Sequence, residues 1–308
     1  MDNPEIKFVS NKDIDRTKWD RCIVDSPFGI VYAMSWYLDR ICPKWDALIS
    51  GDYFYVMPLV NNKKYGISYI YQPFFTQQLG IFSSLPIEPA IVGHFLNAIP
   101  KQFRLTDMNL NFGNTIQSEK FRIKKNTTYH LSLKPNISEI RADYNSNTRR
   151  NIQKAIQSKV SISQISDVPL FLKFTRANLK EKSPEIKSRH YSALQEVVNY
   201  AINNELGEIY VARNPENKML ASVFFIQTNL TSIYLAASSN QEGIEKSAMF
   251  LLIDAFIEKN ARSQTILDFE GSNIPGVARF YAGFGGLPET YFSVHQNRLP
   301  MLLRILKK

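Results

Sequence analysis

Three β-rich runs in close succession constrain the fold of this chain more than any other feature of its sequence. They are GEIYVAR at 207–213, MLASVFFIQT at 219–228 and TSIYLAAS at 231–238, and only the short turns NPENK and TNLT separate them. Turns of this length join neighbouring antiparallel strands. A long helical stretch, 244–260, follows and leads into a further strand, QTILDFE. The second half of the chain therefore predicts a sheet with helices packed on it.

The first half shows a similar alternation of strand and helix. DIDRTKWDRCIV predicts a helix that buries Trp19, Cys22 and Ile23, and PIEPAIVGHFLNAIP predicts another between its prolines. YFYVMPLV and GISYIYQPFF, separated by NNKK, predict a hairpin. The 308 residues suffice for two domains. We predict an α+β fold with two lobes, residues 1–135 and 136–308, in which mixed sheets are flanked by helices.

The second lobe opens with a predicted amphipathic helix in NTRRNIQKAIQ. Ser146 or Asn147 is expected to cap it, and Ile152, Ala155 and Ile156 form its apolar face.

The net charge of +9 and the isoelectric point near 9.3 indicate an anionic partner. Nucleic acid, a nucleotide phosphate and an anionic membrane face would each satisfy this charge. The C-terminal MLLRIL, with Arg298, Lys307 and Lys308 around it, predicts a short amphipathic helix. That helix either docks on its own domain or makes peripheral membrane contact. No apolar run is long enough for a membrane span and no signal peptide is evident, so a cytoplasmic location is the default expectation.

Neither the cysteines nor the histidines show a pattern that points to a metal. Cys22 and Cys42 form no CxxC pair, and we expect both to be small core residues. The four histidines have no metal-ligand spacing and no Ser-His-Asp context, so no metal and no hydrolase triad are predicted.

Several stretches resemble the GNAT superfamily of acyltransferases and, within it, the Fem-like branch that builds peptidoglycan cross-bridges. They are NTRRNIQKA, YLAASSNQEGIEKSAMFLLIDAF and DFEGSNIPGVARFYAGFGG, with WDRCIVDSPFGIVYAMSWYL and QPFFTQQLGIF in the first half. The resemblance covers most of the chain. It implies two GNAT-like lobes, of which the second keeps the better nucleotide-site geometry, and an acceptor bound between them.

The resemblance implies a donor site at the end of the strand SIYLAAS and in the loop SSNQEGIEKSA. Small residues and the start of a helix let backbone N–H groups approach a pyrophosphate. The family pattern Q/R-x-x-G-x-G/A survives only in part here, because Gly243 and Lys246 occupy its first two defined positions and Ala248 the last. The candidate acyl-CoA contacts are Ser238, Ser239, Asn240, Gly243, Lys246, Ser247 and Asn273.

Catalytic candidates lie in DFEGSNIPGVARFYAGFGG, where a buried strand ends. Acyl transfer to an amine needs a base, an oxyanion donor and an acid for the leaving group. Glu270, just past the strand, is either the base or only a cap or salt-bridge partner. Tyr281 is the candidate acid, as the resemblance to other GNAT enzymes implies. Asp268 is expected to accept hydrogen bonds from backbone amides. Fem-like proteins carry a lysine in the segment FKxGFGG, and this chain has Phe280, Tyr281 and Ala282 there instead.

Candidate substrate contacts come from both halves. Arg149 and Arg150 begin a basic helix that either binds a phosphate or acidic glycan or is simply solvated. Tyr71, Gln72 and Gln77 in YQPFFTQQLG are candidates from the first lobe, although turn chemistry explains them nearly as well.

The sequence therefore predicts an N-acyltransferase that acts on an amine of a cell-envelope or sugar-linked precursor. Acetyl-CoA or another acyl-CoA is the preferred donor, because the chain is compact and lacks the Fem-type lysine. Aminoacyl-tRNA is the alternative donor within the same class. Two further readings are a non-catalytic binder of an anionic glycan or nucleotide precursor and a nonspecific nucleic-acid binder, which the charge alone supports.

Overall fold

The computed structural model describes residues 5–42, 44–179, 183–228, 230–271 and 273–300. Within these ranges the α-helices are α1 Arg16–Asp25, α2 Ser35–Ile41, α3 Pro89–Ala98, α4 Ile137–Ala142, α5 Ser146–Gln157, α6 Val168–Leu179, α7 Ser188–Asn203, α8 Gln241–Glu245, α9 Ala248–Asn260 and α10 Pro275–Ala282. The strands are β1 Ile6–Val9, β2 Trp45–Ser50, β3 Tyr55–Lys64, β4 Ile67–Ile70, β5 Phe103–Asn109, β6 Arg122–Ser132, β7 Ser161–Ile165, β8 Gly207–Arg213, β9 Met219–Gln227, β10 Thr231–Ser239, β11 Ile266–Asp268 and β12 Leu287–Asn297.

The chain forms two compact units, and the α+β class is confirmed. The first unit contains the described residues up to Asn126 and those from Thr290 onward, and the second contains Thr127–Glu289. The chain thus passes between the units within β6 and within β12. The predicted boundary between the lobes at residue 135 stays a prediction about the sequence.

The two units share one pattern of strand pairing. In the first unit the order β1-β2-β3-β4-β5-β12 has antiparallel neighbours throughout, except that β4 and β5 are parallel. In the second unit the order β7-β8-β9-β10-β11-β6 is likewise antiparallel except for the parallel pair β10 and β11. In each unit a helix, α3 or α9, lies between the two parallel strands in the chain. The repeated pattern agrees with the similar alternation of strand and helix in the two halves of the sequence.

In the first unit the predicted elements form with small shifts. The side chain of Asp15 caps α1 by accepting from the N–H groups of Thr17 and Lys18. Trp19, Cys22 and Ile23 are buried, as predicted. Cys42 is buried as well, and neither cysteine is in a disulfide. One prediction was wrong: NNKK does not separate two strands but forms the end of β3, whose residues Asn61–Lys64 pair with β4.

In the second unit β8, β9 and β10 are the three predicted strands. The helices pack on them through an aromatic core, in which the rings of Phe225 and Phe256 stack with 3.6 Å between centroids. The single helix predicted over 244–260 is interrupted. α8 ends at Glu245 and α9 begins at Ala248, because Ser247 takes a left-handed backbone conformation with φ 56°.

The cap of α5 also differs from the prediction. Asn145, and not Ser146 or Asn147, is the N-cap, and its side chain accepts from the N–H of Thr148. Ile152 and Ala155 are buried as predicted, whereas 49% of Ile156 is exposed. The amphipathic helix predicted for residues 301–306 lies outside the described residues. None of the described helices combines the length and the hydropathy that a membrane crossing requires.

Candidate functional site

The parallel strands β10 and β11 pair over only a short part of β10. Thr231, Ser232 and Ile233 pair with Ile266, Leu267 and Asp268, and β11 ends there. β10 continues to Ser239 and pairs with β9 along that length, so within the described chain no strand covers its other edge beyond Ile233. We call the space between Tyr234–Ser239 and the chain that leaves β11 at Phe269–Gly271 the wedge. Ligands of open sheets with parallel strands bind beyond the carboxyl ends of those strands.

Glu270 stands at the wedge in an unusual conformation. Its φ is 52°, a left-handed value that costs a non-glycine residue about 1 kcal/mol or more. Its Oε1 is shielded from solvent and has no hydrogen-bond partner in the described part of the chain. Because this desolvation disfavours the charged form, the pKa of the Glu270 carboxyl is raised well above its usual range. A strained residue with a perturbed pKa is typical of a functional site.

Tyr281 lies beside Glu270. It is on α10, its ring stacks on Phe269 with 4.9 Å between centroids, and it contacts Tyr234 of β10 at 5.9 Å. Burial raises the pKa of the Tyr281 hydroxyl, and the nearby carboxyl groups of Glu270 and Asp268 raise it further. The phenol therefore keeps its proton at neutral pH.

Asp268 connects this region to the neighbouring strand β6. Its Oδ1 accepts from the N–H of Glu270 at 2.8 Å and from the hydroxyl of Thr128 at 2.5 Å. Its Oδ2 lies 3.4 Å from Nε2 of His130, the residue directly opposite in β6. The predicted role as an acceptor for a backbone amide fits this geometry. Sequence reasoning missed Thr128 and His130; their alternation in NTTYHLS indicates a shared face but not which strand they face.

Two residues of the predicted donor loop SSNQEGIEKSA, Asn240 and Gly243, are hydrogen-bonded to each other. The side chain of Asn240 caps α8 by accepting from the N–H of Gly243 at 2.8 Å, and it donates to the carbonyl of Met219 at 2.9 Å. A Cβ at Gly243 would lie 2.1 Å from the carbonyl oxygen of Leu220, so only glycine fits there. These contacts hold the loop tightly against β9.

The other members of the loop are engaged to different degrees. Lys246 pairs with Glu242 at 2.9 Å, and Glu242 also pairs with Lys218 at 3.3 Å. The buried Ser247 donates to Asn151 of α5 at 2.7 Å. Ser239 is half-buried, and Asn273 is exposed at the start of the segment that leads into α10. The N-cap of α10 is Ile274.

Ser238 belongs to a buried chain of hydroxyl groups. Its Oγ lies 3.3 Å from Ser222 of β9 and 3.5 Å from Thr175 of α6, and all three side chains are buried. The chain ties α6 to the part of β10 that borders the wedge.

The predicted substrate contacts belong to different units. Arg149 and Arg150 are exposed on α5, where they donate to the carbonyl of Ala142 and to Asn147. In the first unit, Gln72 accepts from the N–H of Asn109 and donates to the carbonyl of Thr76. The carbonyl of Gln77 accepts from the side chain of Asn109. The ring of Tyr71 packs on Tyr69 with 5.8 Å between centroids.

A basic groove between α6 and α7 was not predicted. It has a volume of about 470 Å³, and a smaller cavity of about 260 Å³ shares Arg176, Ser188 and Tyr191 with it. Arg176 is oriented by a hydrogen bond to Ser188 at 2.9 Å and lies over the ring of Tyr191. Lys173 lines the larger cavity and Lys187 the smaller one. These residues come from two helices, so no local sequence motif joins them.

The fold is that of known proteins, although comparison of sequences does not find them. No protein-family model and no curated protein sequence matches the chain. The structure of FemX superposes with a TM-score of 0.71 at 10% identity, over 99% of this chain and 100% of that one. L-PGS from Bacillus licheniformis gives 0.56 at 11% identity, over 95% of both chains. A tandem GNAT protein from the clavulanic acid biosynthesis pathway gives 0.53 at 10%, over 96% of this chain and 99% of that one. The chain thus has the fold of FemX and of a tandem GNAT protein, an α+β fold with two GNAT-like lobes, as its sequence predicted.

Proposed function

We propose that this protein is an N-acyltransferase that acylates an amine of a cell-envelope or sugar-linked precursor. The observation that carries the proposal is the carboxyl of Glu270 at the wedge, whose Oε1 is shielded from solvent and has no partner among the described residues, on a left-handed backbone. A shielded, unpaired carboxyl oxygen and a left-handed backbone both lower the stability of the folded protein. Such destabilising features are typical of residues that have a chemical role.

The proposed reaction uses Glu270 and Tyr281 as proton carriers. The amine nitrogen attacks the acyl carbonyl, the new C–N bond forms, and the ionised Glu270 takes the proton that the amine loses. As the bond to the leaving thiol or hydroxyl breaks, Tyr281 gives that group its proton. The raised pKa values suit both roles, because Glu270 becomes a stronger base and Tyr281 stays protonated until it is needed.

The α6–α7 groove supports an anionic acceptor. Arg176 is fixed by Ser188 and Tyr191, so a phosphate or carboxylate bound there meets a cation whose orientation is already set. The hydroxyl chain from Thr175 to Ser238 connects this helix to the wedge strand. A precursor with phosphate or acidic sugar groups is the chemistry that this groove suits best.

Acyl-CoA is the donor that we favour, with its pyrophosphate at Ser238, Ser239, Asn240, Gly243, Lys246 and Ser247, and with Asn273 at the far side. Absence of the Fem-type lysine between Phe280 and Ala282 removes a cation that a tRNA donor would use. In this proposal Lys246 leaves Glu242 and pairs with phosphate. The acceptor contacts Arg149 and Arg150, together with Tyr71, Gln72 and Gln77, remain part of the proposal.

Aminoacyl-tRNA is the second candidate donor, and one observation favours it. Glu242 places a carboxylate in the loop and already holds Lys246, and a pyrophosphate bound there would meet that negative charge. The Fem-like resemblance supports the same donor. If the protein uses neither donor, we infer instead that it binds an anionic precursor without catalysing a reaction.

The donor can be identified by titration calorimetry of the purified protein with acetyl-CoA, and with free CoA and desulfo-CoA for comparison. We expect micromolar binding of acetyl-CoA and weaker binding after Lys246→Ala. Absence of heat from a folded protein would exclude CoA, and transfer from aminoacyl-tRNA would then be assayed with labelled amino acid.

Catalysis is tested by the pH dependence of the transfer rate. In the wild type we expect the rate to rise as pH increases through the raised pKa of Glu270, because only the ionised form is a base. Glu270→Gln should abolish this rise with pH and lower the rate by about 100-fold or more, while donor binding is retained. Tyr281→Phe should lower the rate but keep the rise with pH that Glu270 causes. A Glu270→Gln protein with the wild-type profile would contradict the assignment.

A further inference from the structure

We propose that Asp268, Thr128 and His130, here called the Asp268 cluster, position Glu270 for proton transfer. The inference rests on the proposed function for its activity readout only, since the placement of the Glu270 carboxyl can be measured without turnover. None of the three residues is assigned a place in the chemistry above.

The Asp268 cluster reaches the backbone of Glu270 and not its side chain. The Glu270 carboxyl has a shielded Oε1 without a partner in the described chain, so the direction of the side chain depends on the backbone that carries it. That backbone is left-handed, and its N–H is bonded to Oδ1 of Asp268 at 2.8 Å. A hydrogen bond that a backbone N–H donates to a carboxyl oxygen is among the stronger restraints available to it.

Asp268 is itself fixed from β6. Thr128 and His130 are two residues apart in a strand, so both side chains lie on the face of the sheet that carries Asp268. Thr128 donates to the same Oδ1 at 2.5 Å, and His130 lies 3.4 Å from Oδ2. Rotation of the buried carboxyl group would break the hydrogen bond from Thr128, and His130 lies against the other oxygen.

Gly271 adds a second restraint on the same turn. A Cβ on this residue would lie 2.4 Å from Cα of Thr128, so the chain leaving β11 passes directly over β6. The turn that carries Glu270 is therefore pressed against the strand that supplies Thr128 and His130.

The test is a carboxyl-¹³C NMR titration of protein labelled at glutamate, with the Glu270 resonance assigned by its loss in Glu270→Gln. In the wild type the resonance should titrate well above the usual carboxyl range. In Asp268→Ala and in Thr128→Val it should titrate closer to that range, because a released Glu270 turns toward water. Thr128→Ser keeps the hydroxyl and should behave as the wild type.

Two controls separate positioning from a loss of folding. Asp254→Asn removes another buried carboxylate of the same unit, which pairs with Arg141, and it should leave the Glu270 titration unchanged. Circular dichroism and thermal melting establish whether each variant folds. If Asp268→Ala does not fold, Thr128→Val still provides the test. An unchanged Glu270 titration in folded Asp268→Ala or Thr128→Val would overturn the proposal.

The rate of acyl transfer gives a second measurement, independent of the NMR titration. Once a donor and an acceptor are known, Thr128→Val should lower kcat by about tenfold or more with little change in KM, because only the placement of the base is altered. If the wild type transfers no acyl group but the NMR shifts occur as expected, the proposed function fails and the positioning by the Asp268 cluster stands.

Discussion

At pH values above the ordinary carboxyl pKa, Glu270 should destabilise the folded protein. Its pKa is raised in the folded state, so between the unfolded and folded values the folded form binds the extra proton, and stability falls as pH rises through this window. Glu270→Gln removes the titration. We expect the variant to melt at a higher temperature than the wild type at pH 8, with the difference shrinking toward pH 4. An exposed control, Glu289→Gln, should show no such trend.

Gly271 gives a second prediction for a single residue. Gly271→Ala must push the turn away from Thr128 and should lower the free energy of unfolding by about 1–3 kcal/mol, measured by urea denaturation. Gly276 in the first turn of α10 has open space around it, so Gly276→Ala should be neutral or stabilising by up to about 1 kcal/mol. Equal effects at the two positions would show that the close approach to Thr128 is unimportant.

At the scale of elements, local chemistry predicts the existence of helices and strands better than their ends. Turn residues identified β8, β9 and β10, and the pattern of DIDRTKWDRCIV identified α1. Asn145, Ser146 and Asn147 are all good capping residues, so the sequence could not choose among them. The choice is tertiary: the N–H of Asn145 donates to the carbonyl of Gly283, which fixes Asn145 just outside the helix.

The candidate site shows the same limit. Glu270 and Tyr281 were predicted from one continuous stretch, and the structure places them together, although their roles stay predictions. Thr128 and His130 reach Asp268 only through the pairing of β6 with β11, and Arg176 reaches Tyr191 only through the packing of two helices. Long-range pairing of this kind leaves no trace in a single local pattern.

The cap of α5 can be tested directly. Asn145→Ala removes the acceptor of the Thr148 N–H and should cost about 0.5–2 kcal/mol of stability. Asn147→Ala, which loses only exposed contacts to Arg150 and Asn151, should cost a few tenths of a kcal/mol. Comparison of the two urea midpoints checks the assignment, and a larger loss for Asn147→Ala would contradict it.

At the scale of the whole molecule, one pattern of strands occurs twice, but the two copies differ at the edge of the first parallel strand. In the first unit the chain after β4 lies against the end of β5: Gln72 accepts from the N–H of Asn109, and the N–H of Leu79 donates to the carbonyl of Asn109. In the second unit the corresponding edge of β10 borders the wedge. The hydrogen bonds at this edge contribute to the stability of the first unit.

A substitution at Gln72 tests whether this side chain only supports its own unit or also contacts a substrate. If its role is only structural, Gln72→Ala leaves the N–H of Asn109 and the carbonyl of Thr76 without their partner, and the free energy of unfolding should fall by about 1–3 kcal/mol. Donor and acceptor affinities, measured by calorimetry, should not change. The exposed Gln117→Ala in the same unit should alter neither quantity. Weaker acceptor binding at unchanged stability would instead make Gln72 a substrate contact, because a residue that only fills its own unit has no reason to affect a ligand.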